Sequence, residues 1–279
     1  GSLTIPAGGA GSIPVTVIGD QLLVPPETFM VNLSAPVGAT IADGQGVVTI
    51  ANDEPILEAS HGSTLRLDLA AAGSAPGTKY LGLLQLPRSS YEVVLDEASG
   101  DLVPGLRLDR VGPALSTVVQ SSVPVSVLGG ARSLRWQNSL STPVSNQFIR
   151  VGSGACGSTC GPDDRYRLRV YETTYRIARF NNTSGQVTVL ILENVSADTV
   201  PGTVWFWGTS GSLLGSTTFN LQPRQSATLN AVSVAGVANQ GGSVTITHGG
   251  RHGSLAGKAV ALEQATGYTF DTPMEPRQR

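Results

Sequence analysis

Apolar and polar residues alternate along nearly the whole chain, the period of a β-strand whose two faces meet different surroundings. "SIPVTVIG", "TFMVNLS" and "GVVTIAN" carry it near the start. After a polar joint, "NDEPILEASHGS", a second series runs from "TLRLDLA" through "KYLGLLQL", "SYEVVLDE", "LSTVVQS", "RSLRWQN" and "NQFIRVG" to "RYRLRVYET". A third runs from "QVTVLILEN" through "GTVWFWG", "LLGSTTFN", "SATLNAV" and "GSVTITH" to "KAVALE". Each of the last two series offers about seven strands, the count and rhythm of a β-sandwich. No stretch of about ten residues or more keeps a helical period. The expected fold is therefore all-β: tandem β-sandwich domains, Ig-like or jelly-roll-like, behind a partial N-terminal unit. The expected division is a partial β-domain over 1–55, a sandwich over 60–175, an Ig- or fibronectin-like sandwich over 176–270, and a polar surface tail, "DTPMEPRQR", over 271–279.

Composition changes the picture in three ways. A hydrophobic fraction of 40% can fill such cores, while charged residues, at 14%, fall below the roughly 25% usual for soluble domains. Ser, Thr, Asn, Gln and Gly must then cover much of the surface. Lysine is confined to Lys79 and Lys258 against sixteen arginines, which favours planar, multiply bonded contacts over flexible ones. A net charge of -2 supplies no overall attraction for nucleic acid or an anionic membrane, so neither is expected as a partner. No apolar run approaches the roughly 18 residues of a membrane helix; the longest, "VTVLIL", is strand-sized, so no membrane span is expected. Gly1-Ser2 reads either as a cloning scar or as the edge of a fragment of a longer precursor.

The two cysteines, Cys156 and Cys160, sit close together in "GACGSTCGPDD". A close pair with no others favours a small disulfide in an oxidising compartment, and with it an extracellular or cell-surface location. Half a metal site is the competing reading, but the spacing is CxxxC and no second Cys or His pair completes it.

Residues 1–55 resemble the C-terminal half of a Calx-beta domain, a calcium-binding β-sandwich of extracellular and adhesive proteins. The matching pieces are "LTIPAGGAGSIPVTVIGD", "PETFMVNLSAP" and "GATIADGQGVVTIANDE", in that order and ending on "NDE". The family's opening strands and acidic loop are absent from these residues. Of its two acidic positions after "GD", Glu27 holds one and Val24 stands at the other. The resemblance implies a Calx-beta-like unit and Ca²⁺ ligands at Asp43, Asp53 and Glu54, with Glu27, and at least one further ligand from outside residues 1–55. Read from the residues alone, Asp43-Gly44 and Asn52-Asp53 simply shape turns, and both readings stand. The rest of the chain is similar to secreted bacterial β-sandwich modules of no assigned chemistry, and "CGPDDRYRLRVYETTYRIARFNN" is similar to modules appended to secreted peptidases and surface proteins.

The candidate chemistry is sparse. His248 and His252 lie four apart in "THGGRHG", a glycine-rich run after a strand, where a turn is the expected structure rather than a metal face; the third histidine is His61. No GxSxG elbow or HExxH helix occurs, so no enzyme is expected. In "DDRYRLRVYE" a strand would put Arg165, Arg167 and Arg169 on one face, either as a ladder for phosphate or acidic glycan or paired with acids such as Glu92 and Asp96 of a neighbouring strand. In "TVWFWG", Trp205 and Trp207 share one strand face and Val204 and Phe206 the other. Both faces cannot line one core, so one pair is covered by a neighbouring domain, another subunit or a sugar.

The sequence reading is thus of an extracellular structural protein, a subunit of a surface filament or the distal part of a large adhesin. It assembles by β-strand complementation of its N-terminal half-domain with other copies of itself or a companion polypeptide. The alternatives are a carbohydrate-binding module and a non-catalytic appendage of a secreted hydrolase.

Overall fold

The structure is a computed structural model that describes residues 1–17, 27–50, 57–69, 78–100, 105–125, 130–153 and 161–277. Strands make up 55% of it and helix 2%, and the sheets stack as sandwiches, so the fold is all-β.

Near the N-terminus, β1 (Glu27–Asn32) and β2 (Gln45–Ile50) form an antiparallel ribbon with Glu27 opposite Ile50. No described residue of 1–50 enters a hydrophobic core, and Met30, Val47 and Val48 are exposed. Alternation predicts a strand from Ser12. Over residues 12–17 there is none: Ile13, Val15 and Val17 stay exposed, and no strand among the described residues supplies the ladder without which an alternating segment is not a strand.

The first sandwich stacks two five-stranded sheets. One has the order β4 (Thr64–Asp68), β12 (Arg165–Glu172), β6 (Ser89–Asp96), β10 (Arg132–Asn138), β9 (Val123–Pro124). The other has the order β3 (Leu57–Glu58), β5 (Thr78–Gly82), β11 (Phe148–Ser153), β7 (Leu106–Val111), β8 (Val118–Ser121). The strand β12 shows how sequence makes sheet. Tyr166, Leu168 and Val170 are buried against Leu108, Leu134 and Val151, while the arginines between them face outward.

The second sandwich is one eight-stranded sheet folded on itself, in the order β16 (Leu213–Leu221), β15 (Val200–Gly208), β18 (Gly241–His248), β13 (Tyr175–Asn181), β20 (Thr269–Pro276), β19 (Leu255–Glu263), β14 (Gln186–Asn194), β17 (Ser226–Asn230). Its core gathers Ile177, Phe180, Leu190, Val204, Phe206 and Ile246 from both layers. The fold closes through β20, whose first part pairs with β19 (Leu262 opposite Thr269) and whose last residues pair with β13 (Tyr175 opposite Pro276). Residues 271–276, set apart in the sequence as a polar tail, are therefore the end of a strand.

Only Thr173 and Thr174 separate β12 from β13, and both are buried. Ser90 of β6 holds them: Thr173 N–H donates to its carbonyl (2.8 Å), its own N–H donates to Thr174 Oγ1 (2.9 Å), and Thr173 Oγ1 donates to its hydroxyl (2.9 Å). Across the joint, Arg277 follows β20 and reaches back to the first sandwich. Its Nε donates to Glu172 Oε1 at 2.7 Å, its Nη2 bonds the same oxygen, and its Nη1 reaches the Pro87 carbonyl. A buried two-residue connector held by Ser90, with Arg277 bonded across it, fixes the two sandwiches against each other.

Candidate functional site

The strand β15 carries side chains to two different places. Val204 and Phe206 point inward and are completely buried in the second core. Trp205 and Trp207 point to the outer face of the sheet. Trp205 is 8% exposed because the first sandwich lies over it: the Arg88 guanidinium carbon sits 4.1 Å from its ring centre. Its indole N–H donates to Thr247 Oγ1 (3.2 Å), and Thr247 in turn donates to Gln137 Oε1 of β10 (2.9 Å). Trp207, two residues on, is only half-buried, and its N–H donates to Thr245 Oγ1 (3.0 Å), which fixes the ring's orientation.

Trp207 forms one wall of an open groove of about 810 Å³ on this outer face. Its cross-strand neighbour on β18 is Ser243. On the far side of Ser243 the strand β13 bulges: Ile177 is opposite Val244 and Phe180 opposite Gly242, so Ala178 and Arg179 together face Ser243. A bulge breaks alternation. Ile177 and Phe180 both point into the core, and Ala178 and Arg179 both stand exposed on the groove side. The row Trp207, Ser243, Arg179 thus crosses three adjacent strands on one face, a span of about 10 Å at the usual interstrand spacing. Backbone closeness makes the floor possible: a Cβ on Gly242 would lie 1.9 Å from the Trp207 carbonyl oxygen.

Electrostatically the groove is simple. Arg179 is the sole ionisable side chain among its described lining residues, and no carboxylate, imidazole or thiol is there to act as general acid, base or nucleophile. The arrangement offers a flat aromatic surface, hydroxyls and one cation, which is equipment for holding a ligand.

The other sequence candidates fall elsewhere. Arg167 pairs with Asp96 through two bonds (2.8 and 3.2 Å) and with Glu97 (2.6 Å), and Arg169 also bonds Asp96. Burial pushes the Asp96 carboxyl up, but its bonds to Arg167 and the charges of both arginines outweigh this and hold it below its ordinary value. Those two arginines are therefore engaged by the adjacent strand, whereas Glu92, on the same outer face of β6 as Asp96, has other partners. Buried, it accepts from Ser133 Oγ (2.6 Å) and from the His252 backbone N–H (2.7 Å).

All three histidines gather near the joint. His61 Nδ1 accepts the Glu172 N–H (2.8 Å), and His252, in the turn after β18, stacks on Tyr171 with centroids 4.4 Å apart. His248 closes β18; it is fully buried, stacks on Tyr175 and accepts the Gly250 N–H at Nδ1. Burial lowers its pKa to about 4, so the ring is neutral. Among the described residues no group of three or more His, Cys, Asp or Glu is placed to hold a metal ion.

Of the residues that the Calx-beta resemblance implies as calcium ligands, Asp43 accepts the Gln45 N–H at Oδ1 (3.1 Å), a local turn bond. Glu27 lies at the start of β1. Asp53, Glu54, Val24 and the Cys156–Cys160 pair lie outside the described residues. The groove's second wall was not legible in the sequence, because Arg179 owes its outward direction to the bulge. Arg277 likewise meets a residue over a hundred positions away.

No family model and no curated protein matches the chain. Among solved structures it is similar to a calcium-binding mutant of Bacteroides uniformis β-glucuronidase 2 (12% identity, 71% of this chain and 26% of that one, TM-score 0.19). It is also similar to a putative β-galactosidase from Bacteroides fragilis (13%, 76% and 34%, TM-score 0.20) and to a β-glucuronidase of glycoside hydrolase family 2 (11%, 92% and 31%, TM-score 0.19). The chain spans about a quarter to a third of these proteins, and at such TM-scores the likeness says nothing of activity or ligand.

Proposed function

We propose that this chain is a non-catalytic, carbohydrate-holding module of an extracellular protein, with the groove beside Trp207 as its contact site. One observation carries the reading: the half-buried indole of Trp207, locked by its bond to Thr245, forms a wall of an open polar groove. The apolar C–H face of a pyranose ring packs on such a surface while its hydroxyls reach Ser243 and backbone groups, a division of labour suited to an amphipathic ring. The tested form is the whole chain run through native gels containing soluble polysaccharides. At least one polysaccharide should retard it, and Trp207→Ala should abolish the retardation. Equal retardation of the variant would remove the groove from the account.

A second reading rests on the N-terminal ribbon. Met30, Val47 and Val48 are exposed and β1 and β2 have no described third strand beside them. Apolar residues on an open ribbon favour completion by strands of another copy or a companion polypeptide, the assembly mode of a filament or adhesin. The carbohydrate groove lies on a different part of the chain, so both roles are compatible.

A further inference from the structure

We propose that the Trp207 groove selects sugars bearing a carboxylate, with Arg179 as the counter-charge; this rests on the carbohydrate reading above and narrows it to acidic glycans. The β-bulge opposite Ser243 is the first support. Regular alternation after Ile177 would turn Arg179 toward the core; the extra residue instead keeps Phe180 inside and brings Arg179 out beside Ala178. The second support is the absence of competition. Ten salt bridges join the described residues, and Arg179 takes part in none of them. No Asp or Glu lines the groove either. Among the described residues the guanidiniums of Arg66, Arg150, Arg167, Arg169 and Arg277 are matched by carboxylates; Arg107 and Arg224, like Arg179, are not, but of these three Arg179 alone borders the groove.

The third support is spacing. Trp207 and Arg179 stand on one face, either side of Ser243, about two interstrand spacings or roughly 10 Å apart. That is room for one sugar ring stacked on the indole with its carboxylate, or that of the next unit, at the guanidinium. Arginine's planar fork meets a carboxylate through two parallel bonds, which adds orientation to charge. A single cation on a chain of net charge -2 suits one carboxylate on a sugar better than the dense phosphates of a nucleic acid, which require a row of cations.

The experiment titrates the full chain with a panel of oligouronates (galacturonate, glucuronate-containing and mannuronate) and with carboxyl-reduced forms of the same oligosaccharides, followed by calorimetry. At least one acid should bind ten times or more tighter than its reduced form. Arg179→Gln should bring that acid down to the reduced form's affinity, Arg179→Lys should recover part of the difference, and added salt should narrow it. Equal binding of acid and reduced forms, lost in Trp207→Ala, would overturn the acid preference and leave the carbohydrate reading intact. Absence of binding across the panel overturns the preference too, and if neutral polysaccharides also fail in gels, the carbohydrate reading goes with it. Tighter binding of single-stranded DNA than of any uronate would overturn both.

Discussion

Arg88 and Trp205 lie face to face across the boundary between the two sandwiches, the guanidinium carbon 4.1 Å from the indole centre. Arg88 is placed there by the turn before β6, where it adopts a left-handed backbone (φ 48°), and is held by its bond to the Ser139 carbonyl. The contact divides the outer face of the second sandwich into a covered part at Trp205 and an open part at Trp207.

Removing either partner should loosen that division. Trp205→Ala is expected to cost roughly 3 kcal/mol or more, as for other buried large aromatics. Arg88→Ala should cost about 1 kcal/mol through the lost cation–π contact. In urea unfolding the double variant should be less destabilised than the sum of the two. Strict additivity would mean that the stacking contributes nothing.

Acid should weaken the fold in a defined window. His248 has a folded pKa of about 4 against an ordinary 6.5, so the unfolded chain takes up the proton first. Stability is full above pH 6.5, falls between 6.5 and 4, and is level below that as far as this group is concerned. At about 1.4 kcal/mol for each pH unit between the two values, the loss reaches about 3 kcal/mol. Asp96 acts in a separate window: its lowered pKa contributes stability that is present above 3.8 and lost as pH falls through the folded value. Unfolding midpoints at pH 7 and 4.5 should differ clearly in the parent and much less in His248→Gln. A proton resonance of His248 titrating near 6.5 would contradict the account.

Arg277 should be a structural residue despite its place after the last strand. Arg277→Ala takes a guanidinium away from the buried Glu172 carboxylate and cuts the bonds to the Pro87 and Arg88 carbonyls. The expected cost is about 3 kcal/mol, in the range for breaking one side of a buried ion pair. Thermal unfolding of the variant checks it; an unchanged midpoint would mean that the joint does not depend on this contact.

Deleting residues 1–55 should hardly change the stability of the two sandwiches, since no described residue of 1–50 belongs to either core. The same deletion separates the two functional readings. Binding to polysaccharide should survive it. Any self-assembly seen by sedimentation or electron microscopy should disappear; assembly that persists would remove the ribbon from that role.

The strand pattern was legible where neighbours agree with it. Along β12 the alternation in "RYRLRVYE" matches a buried apolar row and an outer row of arginines, two of them met by Asp96. What escaped depends on pairing. The bulge that turns Arg179 outward needs the register of β13 against β18. The gathering of His61 with His252 needs both sandwiches in place. At the N-terminus the alternation of Ile13, Val15 and Val17 was real, but no described partner strand converts it into sheet. Of the tryptophan pair, alternation placed both indoles on one face; only the packing of the first sandwich tells Trp205 from Trp207.

Tryptophan fluorescence tests the central claim most directly. The chain has three tryptophans; Trp136 and Trp205 are buried, at 4% and 8% exposure, and Trp207 alone borders the groove. Titration of the full chain with the polysaccharide that retards it in gels should change the emission saturably, and Trp207→Ala should remove that change while the signal of the other two persists. A chain whose emission is unaffected by every polysaccharide and oligouronate tried, or a saturable change that survives in Trp207→Ala, would contradict the account.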